Sequence, residues 1–288
     1  MQCSSRREFL KTAGVVTVGL VAVSGAAGSI MSCAAPTAIP TVVPTKQPTP
    51  TTAPNPTPLS FSPVALPWPY QKLDPKAVAE RAYAAYYNGG CMFGAFEGII
   101  GELRDKVGQP YAAFPAAMTK YGGAGVSGWG TLCGALNGIA AAIYIVADPK
   151  NCSPIINEVF GWYGATPLPD YKPAKPKFAN IDTSVADSQL CHISVSKWCT
   201  KTGFKATSPE RAERCAWLTA SVARYTVDLL NKAADGTFKP TFAVPASVTG
   251  CLSCHGKGGV LENVHTSNQT DCTNCHTDLG TSHPVLSK

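Results

Sequence analysis

Apolar residues between positions 74 and 236 recur at intervals of three and four, which is the spacing of one face of an α-helix. Asp74-Pro75 is typical of a helix start, and Asn88-Gly89-Gly90 of a helix end. We predict helices over residues 75–88, 91–107, 110–121, 131–146, 151–163, 187–202 and 209–232. No convincing strand-like alternation of apolar and polar residues interrupts them. The predicted fold class is therefore mostly α: a helical, cysteine-containing domain followed by a small, irregular C-terminal segment.

The first 33 residues have the features of an export signal and are set apart from the fold. Ser5-Arg6-Arg7-Glu8-Phe9-Leu10-Lys11 is typical of a twin-arginine signal, and an apolar region over residues 13–30 follows it. We expect a periplasmic or other extracytoplasmic location. Because the twin-arginine route carries proteins that are already folded, it suits a chain whose cofactor is inserted before export.

A tether is predicted after the signal. Ile30-Met31-Ser32-Cys33 is similar to a lipoprotein box, which makes Cys33 the candidate for lipidation and for a membrane tether. Residues 34–63 are rich in proline and threonine, a composition that gives an extended chain and not a packed domain. We therefore divide the chain into a signal (1–33), a linker (34–70), a helical domain (71–245) and a C-terminal segment (246–288).

The C-terminal segment contains two copies of C-x-x-C-H, Cys251-Leu-Ser-Cys254-His255 and Cys272-Thr-Asn-Cys275-His276. Two thiols at this spacing add to the two vinyl groups of one haem, and the adjacent histidine then binds the iron. The pattern predicts two haem c groups, with His255 and His276 as the proximal iron ligands. It makes residues 246–288 a dihaem cytochrome c segment.

A four-thiolate zinc site is the alternative interpretation, because Cys251, Cys254, Cys272 and Cys275 also fit its spacing. Haem is favoured because a histidine follows each pair and because His265 and His283 lie in the same segment. The segment is also poor in large apolar residues, and two porphyrins would supply the apolar surface that it lacks.

The net charge of +6 is mild, and no dense basic face interleaved with aromatic residues is present, so the sequence gives no indication of nucleic-acid binding. A basic surface suits an acidic redox partner protein. With 45% hydrophobic residues, the chain is able to bury a substantial core.

The helical region contains six further cysteines: Cys91, Cys133, Cys152, Cys191, Cys199 and Cys215. Three disulfides are one interpretation for an exported protein. These thiols lie in long apolar helices, however, and such a domain does not need bridges. Thiolates gathered from several helices suit an iron–sulfur cluster, which takes four cysteine ligands. One or two of the six, Cys152 especially, remain candidates for small buried hydrophobes.

The segment Gly123-Ala-Gly125-Val-Ser-Gly128 fits the G-x-G-x-x-G pattern of dinucleotide-binding proteins. That fingerprint requires a β-strand immediately before it. The preceding Tyr111-Ala-Ala-Phe-Pro-Ala-Ala-Met is alanine-rich and broken by Pro115, so we do not predict a nicotinamide or flavin site.

The ordered cysteine motifs resemble a known family. Cys91, Cys133-Gly-Ala-x-x-Gly138, Cys191 and Cys199 resemble the C_GCAxxG_C_C redox-active protein pattern. Together with Glu213-Arg214-Cys215 and the two C-x-x-C-H motifs, they resemble split-Soret cytochrome c. The resemblance implies a homodimer with two bis-histidine haems per subunit near the interface, one of which takes a histidine from the partner chain. It also implies an iron–sulfur centre, for which Cys91, Cys133, Cys191, Cys199 and Cys215 are the candidate ligands.

Two distal haem positions remain, and His192, His265 and His283 are the candidates for them. With both axial positions filled, the irons pass electrons but have no open site for a substrate. We therefore predict an electron carrier rather than an enzyme. If one iron lacks a distal histidine, the alternative is an extracytoplasmic haem reductase with one open iron site.

Overall fold

The computed structural model describes residues 64–262 and 269–274 of the 288-residue chain. The signal, Cys33 and most of the linker lie outside these residues, as do Cys275 and the histidines at positions 265, 276 and 283. Within the described part the protein is mostly helical, and its only strand-like pairings are two isolated bridges. The helices are α1 (Pro75–Val107), α2 (Gly134–Val146), α3 (Pro149–Ala165), α4 (Cys191–Thr202), α5 (Pro209–Ala234) and α6 (Ala246–His255). Among them, none is long and apolar enough to cross a membrane.

Helix α1 is a hairpin of two arms. It begins at Pro75, where the Asp74 side chain accepts a hydrogen bond from the backbone N–H of Lys76 (3.0 Å). The helix is broken at Gly90 (φ 80°, ψ −176°), a conformation that glycine adopts without a steric penalty. The predicted boundary between two helices is therefore present as a sharp break, and residues 91–107 form the second arm.

Small residues let the arms of α1 pack closely. A Cβ at Gly94 would stand 2.9 Å from the backbone oxygen of Ala82, and one at Gly98 would stand 2.8 Å from Ala82 Cβ. Helix α5 packs on the same arm, since a Cβ at Gly94 would also stand 2.9 Å from Thr219 Cγ2.

Helix α2 contributes several side chains to the hydrophobic core. Its side chains Leu136, Ile139 and Ile143 are fully buried. Gly138 faces the second arm of α1, where an added Cβ would stand 2.4 Å from the backbone oxygen of Met92. The end of the predicted linker also contacts this core, because the backbone N–H of Trp68 donates to the Ile145 carbonyl (2.7 Å).

The helix predicted over 131–146 begins only at Gly134, and two other predicted helices differ more from the structure. Residues 110–121 form two short 3₁₀ segments, Tyr111–Ala113 and Ala116–Gly122, separated by an extended Phe114. Pro115 explains the interruption, because proline lacks an N–H and disfavours helical backbone in the residue before it. The helix predicted over 187–202 begins only at Cys191, because Leu190 is extended and bridges to Leu132.

Glu158 binds the segment that connects α5 to α6. This buried side chain on α3 accepts hydrogen bonds from the backbone N–H groups of Thr241 and Phe242 and from the Thr241 hydroxyl (2.9 Å). Helix α6 follows, with Val248 fully buried. Further on, the Asn274 side chain donates to the backbone oxygen of Asp187 in the helical domain.

Candidate metal centre

Four thiols from four separate parts of the fold lie close together. Cys91 opens the second arm of α1, Cys133 immediately precedes α2, Cys191 is the first residue of α4, and Cys215 lies in α5. Every one of the six pairs among these cysteines is near enough for the charge of one thiolate to raise the pKa of another. The fold therefore brings together four of the five cysteines predicted as cluster ligands.

A short antiparallel pairing places Cys133 beside Cys191. The backbone N–H of Cys133 donates to the Gln189 carbonyl (2.9 Å), and the N–H of Cys191 donates to the Thr131 carbonyl (2.6 Å). These bonds flank the Leu132–Leu190 bridge. The two segments start α2 and α4 at the same place, so the first residues of both helices are held at one site.

Two glycines leave the space that the thiols occupy. A Cβ at Gly134 would stand 2.5 Å from Cys91 Sγ, and a Cβ at Gly125 would stand 2.9 Å from Cys191 Cβ. Real Cβ atoms do not approach heavy atoms this closely. The glycine that follows Cys133 therefore has a steric role at this site.

Burial disfavours the charged form of three of the four thiols. Removal from water raises the pKa of Cys91 and Cys133, and it raises the pKa of Cys191 to about 12, with the neighbouring thiols adding to each shift. Four thiolates at one buried site would repel one another. A metal group supplies the positive charge that allows them to ionise together.

Several groups are nevertheless positioned to stabilise negative charge on the sulfurs. The backbone N–H of Ala124 is directed to Cys91, and the N–H of Ala135 and the Tyr163 hydroxyl are directed to Cys133. Hydrogen bonds of this kind favour the thiolate. The thiol set therefore has the donors that sulfur ligands of a metal group require.

Two arginines approach the fourth thiol. The guanidinium groups of Arg211 and Arg214 both lie within hydrogen-bonding reach of Cys215. Arg211 is partly buried and its Nε donates to the Ala206 carbonyl (2.5 Å), whereas Arg214 is only 1% exposed. Positive charge is thus concentrated on the α5 side of the site.

A cavity of about 440 Å³ lies against the thiols. Its lining includes Cys91, Cys191 and Cys215, together with His192 and Arg211. Within the described residues, no three histidine, cysteine or acidic side chains are arranged to hold a single metal ion. Sulfurs spread around a cavity suit a group larger than one ion, and an iron–sulfur cluster is such a group.

A glycine-rich loop covers one side of the site. Ala124, Val126 and Ser127 all have positive φ (52°, 64° and 48°), as have Gly125, Gly128 and Gly130. Non-glycine residues adopt this conformation at a cost in free energy and are often found at functional sites. A 3₁₀ segment, Ala116–Gly122, precedes the loop in place of the β-strand that the dinucleotide fingerprint requires.

His192 is oriented by this loop. Its Nδ1 atom and its backbone N–H both lie within hydrogen-bonding distance of the Gly130 carbonyl oxygen (2.8 and 3.1 Å). When Nδ1 carries the proton for that bond, Nε2 is left with a lone pair. Metal-binding histidines are commonly oriented in this way.

Two cysteines of the helical domain lie apart from the four thiols. Cys152 is buried in α3, where its Sγ atom lies 3.6 Å from the carbonyl oxygens of Ala147 and Asp148, as expected for a small buried residue. Cys199 is two turns beyond Cys191 on α4, and no described contact joins it to the group. All nine cysteines of the described residues are free thiols, so the three-disulfide interpretation gains no support there.

The described haem-motif residues lie close to one another. Helix α6 carries Cys251 and Cys254 and ends at His255, and Cys272 begins a 3₁₀ turn. Partial burial and the neighbouring Cys251 thiol raise the pKa of Cys272, so the first cysteines of the two motifs are neighbours. A zinc site and a pair of adjacent haems both suit this arrangement.

Sequence reasoning did not identify every residue at the site. It missed Tyr163 and the loop N–H of Ala124, because neither has a local signature. It included Arg214 only as part of the Glu213-Arg214-Cys215 motif. The available sequence signal for Arg214 was a permanently charged side chain among the apolar positions of α5.

The fold and site define a class: a helical redox protein with a clustered thiol site and c-type haem motifs. A family model of the C_GCAxxG_C_C redox-active proteins matches residues 94–229. Split-Soret cytochrome c of Desulfovibrio desulfuricans is 44% identical over 219 residues, which cover 74% of this chain and 78% of that protein.

A solved structure agrees with the sequence comparison. The split-Soret cytochrome c of Desulfovibrio desulfuricans, described as containing a novel iron centre, matches with a TM-score of 0.69 and 42% identity, over 75% of this chain and 95% of that one. The chain belongs to the split-Soret cytochrome c family. Membership confirms the predicted resemblance and the mostly α fold, and it supports a redox role with haem c.

Proposed function

We propose that this protein is an exported dihaem c-type cytochrome of the split-Soret type that transfers electrons, and that it also holds an iron–sulfur centre. The proposed iron–sulfur centre rests on one observation: Cys91, Cys133, Cys191 and Cys215 lie close together. Four thiolates are the usual ligand set of an iron–sulfur cluster. The iron centre described for the solved relative is consistent with this proposal.

The residues around the thiols fit such a centre. A cluster supplies a group that accepts and releases one electron without a large change of structure. The chain supplies four thiolates, N–H and O–H donors to two of them, and the Arg211 and Arg214 guanidinium groups beside Cys215. Cys199 is left out of the proposed ligand set.

The two haems are assigned to the C-x-x-C-H motifs, with Cys251 and Cys254 holding one and Cys272 and Cys275 the other. His255 and His276 are the proximal ligands, as the motif requires. Two of His192, His265 and His283 serve as distal ligands. The contact from His192 Nδ1 to the Gly130 carbonyl supports its candidacy, because it leaves Nε2 able to bind iron.

A contact between the two regions supports a short electron path. Asn274 lies within the second haem motif, and its side chain donates to the Asp187 carbonyl. Asp187 precedes Cys191 by four residues and pairs with Lys197 on α4. The second haem would therefore attach close to the end of α4 that carries the proposed cluster ligand Cys191.

Export, anchoring and dimerisation complete the proposal. The twin-arginine motif supports export to an extracytoplasmic compartment, and Cys33 supports a lipid tether there. The homodimer and the redox partner proteins follow from the family resemblance. The mild net charge of +6 suits an acidic partner.

Spectroscopy of the anaerobically purified full chain tests these assignments. A c-type pyridine haemochrome, two added tetrapyrroles in the intact mass, and non-haem iron with acid-labile sulfide are expected. A protein without added tetrapyrrole would overturn the haem assignment. Carbon monoxide binding by the reduced wild type would instead favour the reductase with an open iron site.

Cysteine variants test the ligand set separately. Cys215→Ala should lose most non-haem iron and keep both haems, whereas Cys152→Ala is the matched control and should keep its iron. Cys199→Ala should behave like the control. If Cys199→Ala loses the iron and Cys215→Ala keeps it, the proposed ligand set is wrong.

A further inference from the structure

The charge of Arg214 is not balanced by any carboxylate of the described residues. Its side chain is 1% exposed, and an arginine remains protonated even when buried. The adjacent Glu213 does not serve as its partner, because that carboxylate accepts its hydrogen bonds elsewhere. Its donors are the Tyr83 and Tyr87 hydroxyls, the Trp217 indole N–H and the Lys177 backbone N–H.

The groups that do face Arg214 are thiols and hydroxyls. Its Nη2 donates to Ser194 Oγ (2.9 Å), and its charge acts on Cys215, Tyr163 and Cys133. Its Nε is fully buried and has no hydrogen-bond partner. A buried cation with an unused donor is strongly unfavourable unless an anion lies beside it.

From this arrangement we infer that Arg214 is the internal counter-charge of the metal centre: it balances the negative charge of the thiolate-bound group and raises the centre's reduction potential. The inference rests on the proposed iron–sulfur function. Reduction adds one electron, taken from the external reductant, and the guanidinium neither gains nor loses a proton. A fixed positive charge favours the more negative, reduced form.

The residues around Arg214 give this role a defined geometry. Ser194 Oγ also lies 2.9 Å from the Tyr163 hydroxyl oxygen, and Tyr163 in turn lies beside Cys133. The guanidinium is therefore held through Nη2, while Nε has no hydrogen-bond partner. We classify Arg214 as a positioning and charge-balancing residue, since no contact shows that it would bind the metal.

A set of three variants separates charge from packing. Arg214→Met removes the charge and keeps an extended apolar side chain, whereas Arg214→Lys keeps the charge. Arg224→Met is the matched control: it removes the same charge from the same helix, ten residues or about 15 Å further along, where Asp170 and Asp228 pair with it.

Redox titration of the non-haem centre, followed by its electron paramagnetic resonance signal, is the first measurement. Arg214→Met should shift the potential in the negative direction, changing the reduction equilibrium by roughly tenfold or more. Arg214→Lys should remain near the wild type, and Arg224→Met should shift it far less. Equal potentials in wild type and Arg214→Met would overturn the inference while leaving the proposed function intact.

Thermal unfolding with and without non-haem iron covers the case in which Arg214→Met loads iron poorly. A chelator removes this iron and leaves the covalently held haems. Loss of the metal should destabilise wild type more than Arg214→Met, because only wild type is left with an uncompensated buried cation. Equal losses would contradict the inference. If the wild type contains no non-haem iron, the proposed iron–sulfur function fails, and this inference fails with it.

Discussion

Gly134 lies so close to Cys91 that a methyl group at position 134 would stand 2.5 Å from the Cys91 Sγ atom. The same methyl group would stand 2.6 Å from the backbone oxygen of Gly122. The sulfur and the backbone would both have to move. The glycine that follows Cys133 in the family pattern thus preserves the space of a thiol contributed by another helix.

Gly134→Ala should therefore reduce the non-haem iron content severalfold without changing the amount of haem, because the added Cβ displaces Cys91 and not the C-terminal segment. Iron, sulfide and haemochrome assays on one preparation measure both quantities.

Gly123→Ala is the matched control for this substitution. It also lies on the cavity, but its Cβ would meet only the Lys120 carbonyl at an ordinary 3.6 Å. Equal iron loading in wild type and Gly134→Ala would show that the site tolerates the methyl group.

Acid should destabilise the helical domain through Glu213. Burial alone raises the pKa of this carboxyl, but hydrogen bonds from Tyr87, Trp217 and Tyr83 outweigh it, so its pKa lies below the usual value. Its contribution to stability is present above the unfolded pKa of about 4.3 and is lost as the pH falls through the lower folded pKa. The free energy of unfolding, measured with denaturant at pH 7 and near pH 3, should therefore be smaller near pH 3.

Glu213→Gln should lower the free energy of unfolding at pH 7 by about 1–3 kcal/mol. It should also reduce the loss of stability between pH 7 and pH 3. Glu210→Gln, one turn earlier on α5, is the control and should leave both unchanged. A Glu213→Gln variant with the acid sensitivity of the wild type would show that another group causes it.

The connection between the helical domain and α6 should depend on Glu158. Glu158→Ala removes the acceptor for two backbone N–H groups and one hydroxyl in Thr241 and Phe242. The free energy of local unfolding of this connecting segment should fall by about 1–3 kcal/mol. Limited proteolysis should then cut between residues 236 and 246 faster than in wild type.

Asn157→Ala provides the control for the proteolysis experiment, because Asn157 precedes Glu158 on α3 and has no described hydrogen bond from its side chain. Cleavage of both variants at the wild-type rate would mean that Phe242 packing against Gly161 suffices to hold the segment.

Alanine variants of the three candidate histidines should fall into two groups. Two of them should leave a haem iron with an open axial position. The predicted bis-histidine ligation needs two distal ligands, and His192, His265 and His283 are the three candidates. Replacing a true ligand by alanine leaves an open iron that binds carbon monoxide when reduced. Absorption spectra of the three reduced variants with carbon monoxide measure this directly.

The third histidine variant serves as the internal control and should keep the wild-type spectrum. Binding by none of the three would mean that the distal ligands come from other residues.

Local chemistry made part of this protein predictable from sequence. The helix predicted over residues 209–232 does start at Pro209, where the Ser208 hydroxyl accepts a hydrogen bond from the Arg211 N–H (3.2 Å). The break at Gly90 was predicted because glycine ends helices. The C-x-x-C-H motifs are equally local, since one short segment carries both thiols and the proximal histidine.

Only the tertiary structure decided which cysteines belong together. Cys191 and Cys199 share α4, yet only Cys191 joins the group, because the Leu132–Leu190 bridge brings the first turn of α4 to Cys133. The buried, carboxylate-free environment of Arg214 was likewise not predictable, since Ser194, Tyr163 and Cys133 lie on three other parts of the fold. Sequence spacing specifies neighbours along one helix, whereas packing between helices specifies which side chains meet.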